Sequence, residues 1–154
     1  MSSYSSNVVN ECGPDPKDWS DEIWNRICIN GSCCPKSSNT VYAFVNLKRS
    51  HWVLLQIERL KNCGTIFDSN SRPMGLNMCR PVFNNLVKYL FDANNWKLNI
   101  SSKIKQQTSL DCGVFCMLML KKLALYSELD IDTSPSKIMK ERKIFTLEIL
   151  TERL

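Results

Sequence analysis

The sequence predicts an α+β fold in which a small central, mostly antiparallel sheet is flanked by helices. Three observations predict it. Short β-branched and aromatic runs separated by polar turns fill residues 41–68 and 96–100, and helical stretches lie before, between and after them. Residues 112–126 are apolar almost all round, as a helix buried in the middle of a domain must be. The chain has 154 residues, and a domain of this size buries roughly 68–70% of the surface its unfolded form exposes, enough for a core without staples. No repeat, low-complexity tract or Pro/Gly linker divides it, so residues 1–154 read as a single domain.

Taken in order, residues 17–28 (KDWSDEIWNRIC) form a helical stretch, with Asp18 or Ser20 as cap and Ile23 and Ile27 on one side. Residues 30–40 (NGSCCPKSSNT) are loop chemistry. Residues 41–47 (VYAFVNL) and 51–57 (HWVLLQI) are strands joined by the polar turn 48–50, an antiparallel hairpin. A third strand, 64–68 (GTIFD), starts after the breaker pair Asn62 and Gly64. Pro81 suits a first helical position, with Val82, Leu86, Tyr89 and Leu90 as one apolar face behind it. Residues 96–100 (WKLNI) are a fourth strand, and Pro135 opens a last amphipathic helix, about 135–153.

Composition narrows the class. Apolar residues are 44% and charged residues 23% of the chain, which suits a soluble globular protein. No run approaches 18 uninterrupted apolar residues, so no membrane span is expected. The amino end has neither the basic start nor the apolar run of a signal peptide, so the expected place is cytoplasm or nucleus rather than outside the cell. Eight cysteines in that setting read as reduced thiols. Their spacing is irregular and there is one histidine, so neither a zinc site nor any other metal or cofactor is expected. Net charge is +5, with basic residues gathered at Lys121 and Lys122 and at Lys137, Lys140, Arg142 and Lys143. These are solvated helix faces, or a weak attraction to nucleic acid or an acidic protein.

Four residue types at element boundaries carry the chemistry. His51 starts a strand and is followed by Trp52. Asp68 follows a strand 17 residues later, where sheet pairing can bring it beside the imidazole to hold one tautomer and stabilise the charged ring. Cys112 opens the buried helix, where the dipole and free backbone N–H groups favour a thiolate and can receive an oxyanion. Gly113 beside it permits close approach of a substrate backbone, while Cys116, one turn on, points into the core. Gln106 and Gln107 precede the cysteine on the loop leaving the fourth strand, where a side-chain amide can donate to the same oxyanion.

The order HW…FDS…QQ…DCGVF resembles the clan of cysteine proteases that includes the SUMO-specific proteases and the adenovirus maturation protease, adenain. The resemblance covers roughly residues 18–126. It implies an adenain-like protease fold with His51 as general base, Asp68 as its orienter and Cys112 as nucleophile. It selects Gln106 as oxyanion donor, with Gln107 in reserve. The stretch D18-W-S-D-E-I23 resembles a SUMO-protease helix whose Trp, with the Trp after the catalytic His, walls a tunnel for a Gly-Gly tail; Trp19 and Trp52 take those places. C12-G-P14, C112-G-V-F-C116 and the short chain lean toward adenain instead, although Asn94 and Asn95 stand where that enzyme has its activating cysteine.

The resemblance therefore implies a thiol protease or isopeptidase that cuts after Gly-Gly or Gly-x-Gly. Its protein substrate would be either a ubiquitin-like modifier to be processed or removed, or a viral precursor to be matured, the latter in a virion-associated enzyme. Two other readings stand beside it: a non-catalytic module binding ubiquitin-like proteins or nucleic acid on the same fold, and an acetyltransferase using the same triad.

Overall fold

The computed structural model describes residues 37–70, 75–106, 108 and 110–151. The helix expected over 17–28 lies outside them. Strand β1 (Thr40–Leu47) pairs antiparallel with β2 (His51–Glu58), in register from Leu47 opposite His51 to Thr40 opposite Glu58. The connecting turn is tight: the Ser50 N–H donates to the Leu47 carbonyl at 3.0 Å. Lys48 and Arg49 take φ values of 52° and 57°, a consecutive left-handed pair within the three-residue connection 48–50. That turn delivers His51 directly onto the sheet.

A 3-10 turn (Arg59–Lys61) leads into β3 (Cys63–Phe67), which runs antiparallel to β2. The expected breaker pair divides its work. Asn62 supplies the left-handed residue, at φ 49°, whereas Gly64 lies within the strand and serves packing. Helix α1 (Gly75–Phe91) then crosses over to β4 (Lys97–Ser101), which is parallel to β3, because returning a chain to the same end of a sheet requires such a crossover. The sheet order is β1-β2-β3-β4, mostly antiparallel as expected.

Helix α1 begins six residues before Pro81, which the sequence suggested as its first position. Buried residues Gly75, Cys79, Val82, Phe83, Leu86, Val87 and Leu90 form one continuous stripe against the sheet. Pro81 faces outward, as does Asn77, whose carbonyl loses its helical donor to the proline ring. Water can take that carbonyl, so packing overrides the local signal.

Helix α2 (Cys112–Tyr126) and helix α3 (Pro135–Thr151) follow at the expected places. Leu54 and Phe67 pack with Phe115, Cys116, Met119, Ile138 and Phe145 on the face opposite α1. Val53, Leu55, Ile57 and Ile66 pack against α1. Both sheet faces are therefore covered, which is why residues 53–55 read as an unbroken apolar run rather than an alternation. Each fully buried aliphatic or phenyl side chain contributes about 1.5–3 kcal/mol. Among the described residues no helix is long and apolar enough to cross a membrane.

Candidate active site

Antiparallel pairing sets the first contact. Leu54 lies opposite Phe67 in the register of β2 and β3, so His51 at the head of β2 and Asp68 just past β3 come to the same end of the sheet. His51 Nε2 lies 2.7 Å from Asp68 Oδ1. Both side chains are buried, Asp68 to 1% exposure. The Asn70 backbone N–H donates to the same Oδ1 at 2.9 Å, and the Asp68 N–H donates to the Ser101 carbonyl of β4 at 3.1 Å. A β-carbon on Gly75, the first residue of α1, would stand 3.4 Å from Asp68 Oδ2. The carboxylate is thus boxed in, and its direction is set by the fold.

Gln106 is anchored next door. Its backbone N–H donates to the Ser69 carbonyl at 2.8 Å, and its side-chain Oε1 accepts from Ser69 Oγ at 2.6 Å. Its Nε2 donates to the Thr108 carbonyl at 2.8 Å. One amide hydrogen is left over for another acceptor. Lys105 Nζ reinforces the same junction by donating to the Asn70 carbonyl at 2.9 Å.

Cys112 is the first residue of α2 and is buried. The first helical bond runs from the Phe115 N–H to the Asp111 carbonyl, at 3.0 Å. The N–H groups of Cys112, Gly113 and Val114 therefore have no acceptor within the helix. Asp111 stands at the cap position, with φ −100° and ψ 0°, yet its side chain makes no capping bond. Its carboxylate instead accepts from Thr108 Oγ1 and from the guanidinium of Arg142 on α3. The Thr108 hydroxyl foremost, and Arg142 with it, hold the Asp111 carboxyl below the usual carboxylate range. Burial pushes the Cys116 thiol far up, with the neighbouring Cys112 and Asp68 adding to the shift.

Trp52 and Gly113, one residue past His51 and Cys112 respectively, line one cavity of about 330 Å³ together with Phe44, Val114, Met117 and Phe145. A β-carbon on Gly113 would meet nothing within 4 Å, so the backbone beside Cys112 is open to a ligand. The fold thus joins His51 to Asp68, and Gln106 to Ser69 beside that aspartate. It sets Cys112 at the amino end of the helix that packs across β2. Trp19 and Gln107 lie outside the described residues.

Sequence reasoning missed Ser69, Thr108 and the pairing of Asp111 with Arg142. Ser69 was legible only as part of FDS; Arg142 was hidden in a basic run that reads as a charged surface. Within that run Lys137 is also paired, with Glu141 at 2.8 Å, so only part of its charge is left for an external partner. Among the described residues no three His, Cys, Asp or Glu side chains gather as a metal site would need.

Residues 35–153 match the model of the Ulp1 protease family, C-terminal catalytic domain. No curated protein sequence matches. Among solved structures, the SUMO protease Ulp1 with its catalytic cysteine oxidised to a sulfonic acid is similar at 21% identity and a TM-score of 0.62, over 75% of this chain and 54% of that one. The C-terminal Ulp1 protease domain in complex with SMT3, the yeast orthologue of SUMO, is similar at 19% identity and a TM-score of 0.56, over 67% of this chain and 49% of that one. The Xanthomonas campestris effector XopD bound to ubiquitin is similar at 18% identity and a TM-score of 0.51, over 88% and 73% of the two chains. This chain thus spans about half the length of the SUMO protease chains it matches. At these identities the likeness is one of fold.

Proposed function

The chain belongs to the Ulp1 protease family, and from that premise we propose that it is a cysteine protease or isopeptidase that cleaves after the glycine-rich tail of a ubiquitin-like modifier. The observation that carries the proposal is the buried bond between His51 Nε2 and Asp68 Oδ1, 2.7 Å long, together with the cavity that Trp52 and Gly113, the residues after His51 and Cys112, line in common. With Nε2 committed to the carboxylate, Nδ1 is the ring nitrogen available to the thiol and the leaving group.

In this mechanism His51 takes the Cys112 proton and the sulfur forms a bond to the substrate carbonyl carbon. The oxygen, now negative, accepts hydrogen bonds from the amino end of α2 and from the remaining amide hydrogen of Gln106. The intermediate collapses, the C–N bond breaks, and His51 gives its proton to the departing amine. Water, activated by the same imidazole, then releases the acyl group from sulfur. Asp68 holds the ring and stabilises its charged form throughout. Gly113 and Trp52 suit a substrate tail of glycines: the backbone beside Cys112 is open to a close-lying substrate backbone, next to the indole of Trp52. That similar folds are known in complex with SMT3 and with ubiquitin supports this substrate class.

The test is intact-mass spectrometry and peptide mapping with ubiquitin, SUMO and related modifiers that end in a thiol-reactive glycine electrophile, alongside a short Gly-x-Gly peptide aldehyde. An adduct on Cys112 with a full-length modifier is expected, with none on Cys79, whose thiol burial above all pushes up to about 12, or on Cys116. Reaction with the short peptide alone would favour a precursor-maturing protease. No Cys112 adduct with any probe would overturn the proposal.

A further inference from the structure

We infer that Arg142, on α3, is a positioning residue for the oxyanion site, acting through Asp111. The inference rests on the proposed hydrolysis at Cys112. One continuous path of hydrogen bonds joins the two ends of the site. Ser69, next to Asp68, holds Gln106; Gln106 donates to the Thr108 carbonyl; the Thr108 hydroxyl donates to one oxygen of Asp111; and Arg142 holds the other.

Two consequences follow from where Asp111 sits. An aspartate immediately before a helix is a strong capping residue, because its carboxylate accepts from the free N–H groups of the first turn. At the start of α2 such a cap would fill the acceptor position that the substrate oxyanion needs. Thr108 and Arg142 turn the carboxylate aside, and no capping bond forms. Charge adds to this. A carboxylate one residue before Cys112 opposes any negative charge at the amino end of the helix, and the guanidinium offsets it. Gln106 benefits as well, since the loop that carries its acceptor is tied through Thr108 to the same anchored carboxylate.

Arg142 touches none of the reacting atoms assigned above, although its side chain also lines the cavity of Trp52 and Gly113, and about half of it is exposed, at 49%, so a side chain with the same stem can replace it. Arg142→Met keeps the stem and removes the guanidinium. It is expected to lower kcat about tenfold or more while KM moves by less than about twofold, the pattern of an interaction made in the transition state. A glycine-ended peptide aldehyde, which forms a tetrahedral oxyanion on the cysteine, should lose affinity by the same factor as kcat. Arg142→Lys, which restores charge and one donor, should recover part of the loss. Thr108→Val, which frees the same carboxylate from its other side, should reproduce the kcat effect without touching α3.

Unchanged kcat in both Arg142→Met and Thr108→Val would overturn the inference, as would a loss confined to KM or an Arg142→Lys no better than Arg142→Met. A wild-type chain without Cys112-dependent turnover would overturn the proposed hydrolysis, and this inference with it. An active wild type with indifferent variants would overturn this inference alone.

Discussion

His51 gives its Nε2, not its Nδ1, to Asp68, across 2.7 Å of buried space. Which nitrogen is occupied decides which is free for chemistry, and the neutral ring carries a single hydrogen. With the carboxylate in place that hydrogen stays on Nε2 and Nδ1 remains a base. Asp68→Asn leaves a group of the same shape but can favour the opposite tautomer. On the proposed mechanism His51→Ala lowers kcat by about 10²- to 10⁴-fold, the usual worth of a positioned acid–base group. Asp68→Asn lowers it by less, because the imidazole remains and reacts through the fraction that keeps the productive tautomer and orientation. Steady-state rates on a modifier fused through its terminal glycine check both. Negligible losses in both would remove the pair from the mechanism.

Gly64 and Phe83 make a second, purely structural prediction. A β-carbon on Gly64 would stand 2.4 Å from Cε2 and 2.9 Å from Cδ2 of the Phe83 ring, and that ring is fully buried. The ring lies on bare backbone at the second residue of β3. Gly64→Ala is expected to destabilise the fold by about 1–3 kcal/mol, the range for overpacking a core. Combining it with Phe83→Leu should cost less than the two changes summed, since the smaller side chain makes room. Chemical denaturation of the four proteins measures both quantities; strict additivity would mean that the two residues do not meet.

Much of this was legible in the sequence because it is periodic or local. The hairpin, the third and fourth strands and the buried helix announce themselves by residue type, and α2 runs over the expected 112–126. His51 and Asp68 were legible as partners because antiparallel strands bring a strand start beside a following strand end. What could not be read depends on distant packing. Pro81 looks like a helix start until the stripe through Gly75 and Cys79 is seen to face the sheet. Gly64 looks like a turn residue until Phe83 lies on it. Arg142 lies 31 residues from Asp111, and no local pattern links them.

That long-range pair carries the last prediction, on acid stability. The Thr108 hydroxyl, then Arg142, hold the folded-state value of the Asp111 carboxyl below its unfolded one. A group lowered in this way stabilises the fold fully above its unfolded value, about 4, and loses that contribution as pH falls through the folded value. Asp111→Asn keeps the shape and removes the charge. It should therefore unfold more easily than the wild type at pH 7, and the gap should close progressively below about pH 4. Urea unfolding at stepped pH measures it. A gap that persists unchanged into strong acid would assign the contribution to packing; no gap at pH 7 would mean that the ion pair with Arg142 adds nothing to stability, leaving orientation at the amino end of α2 as its role.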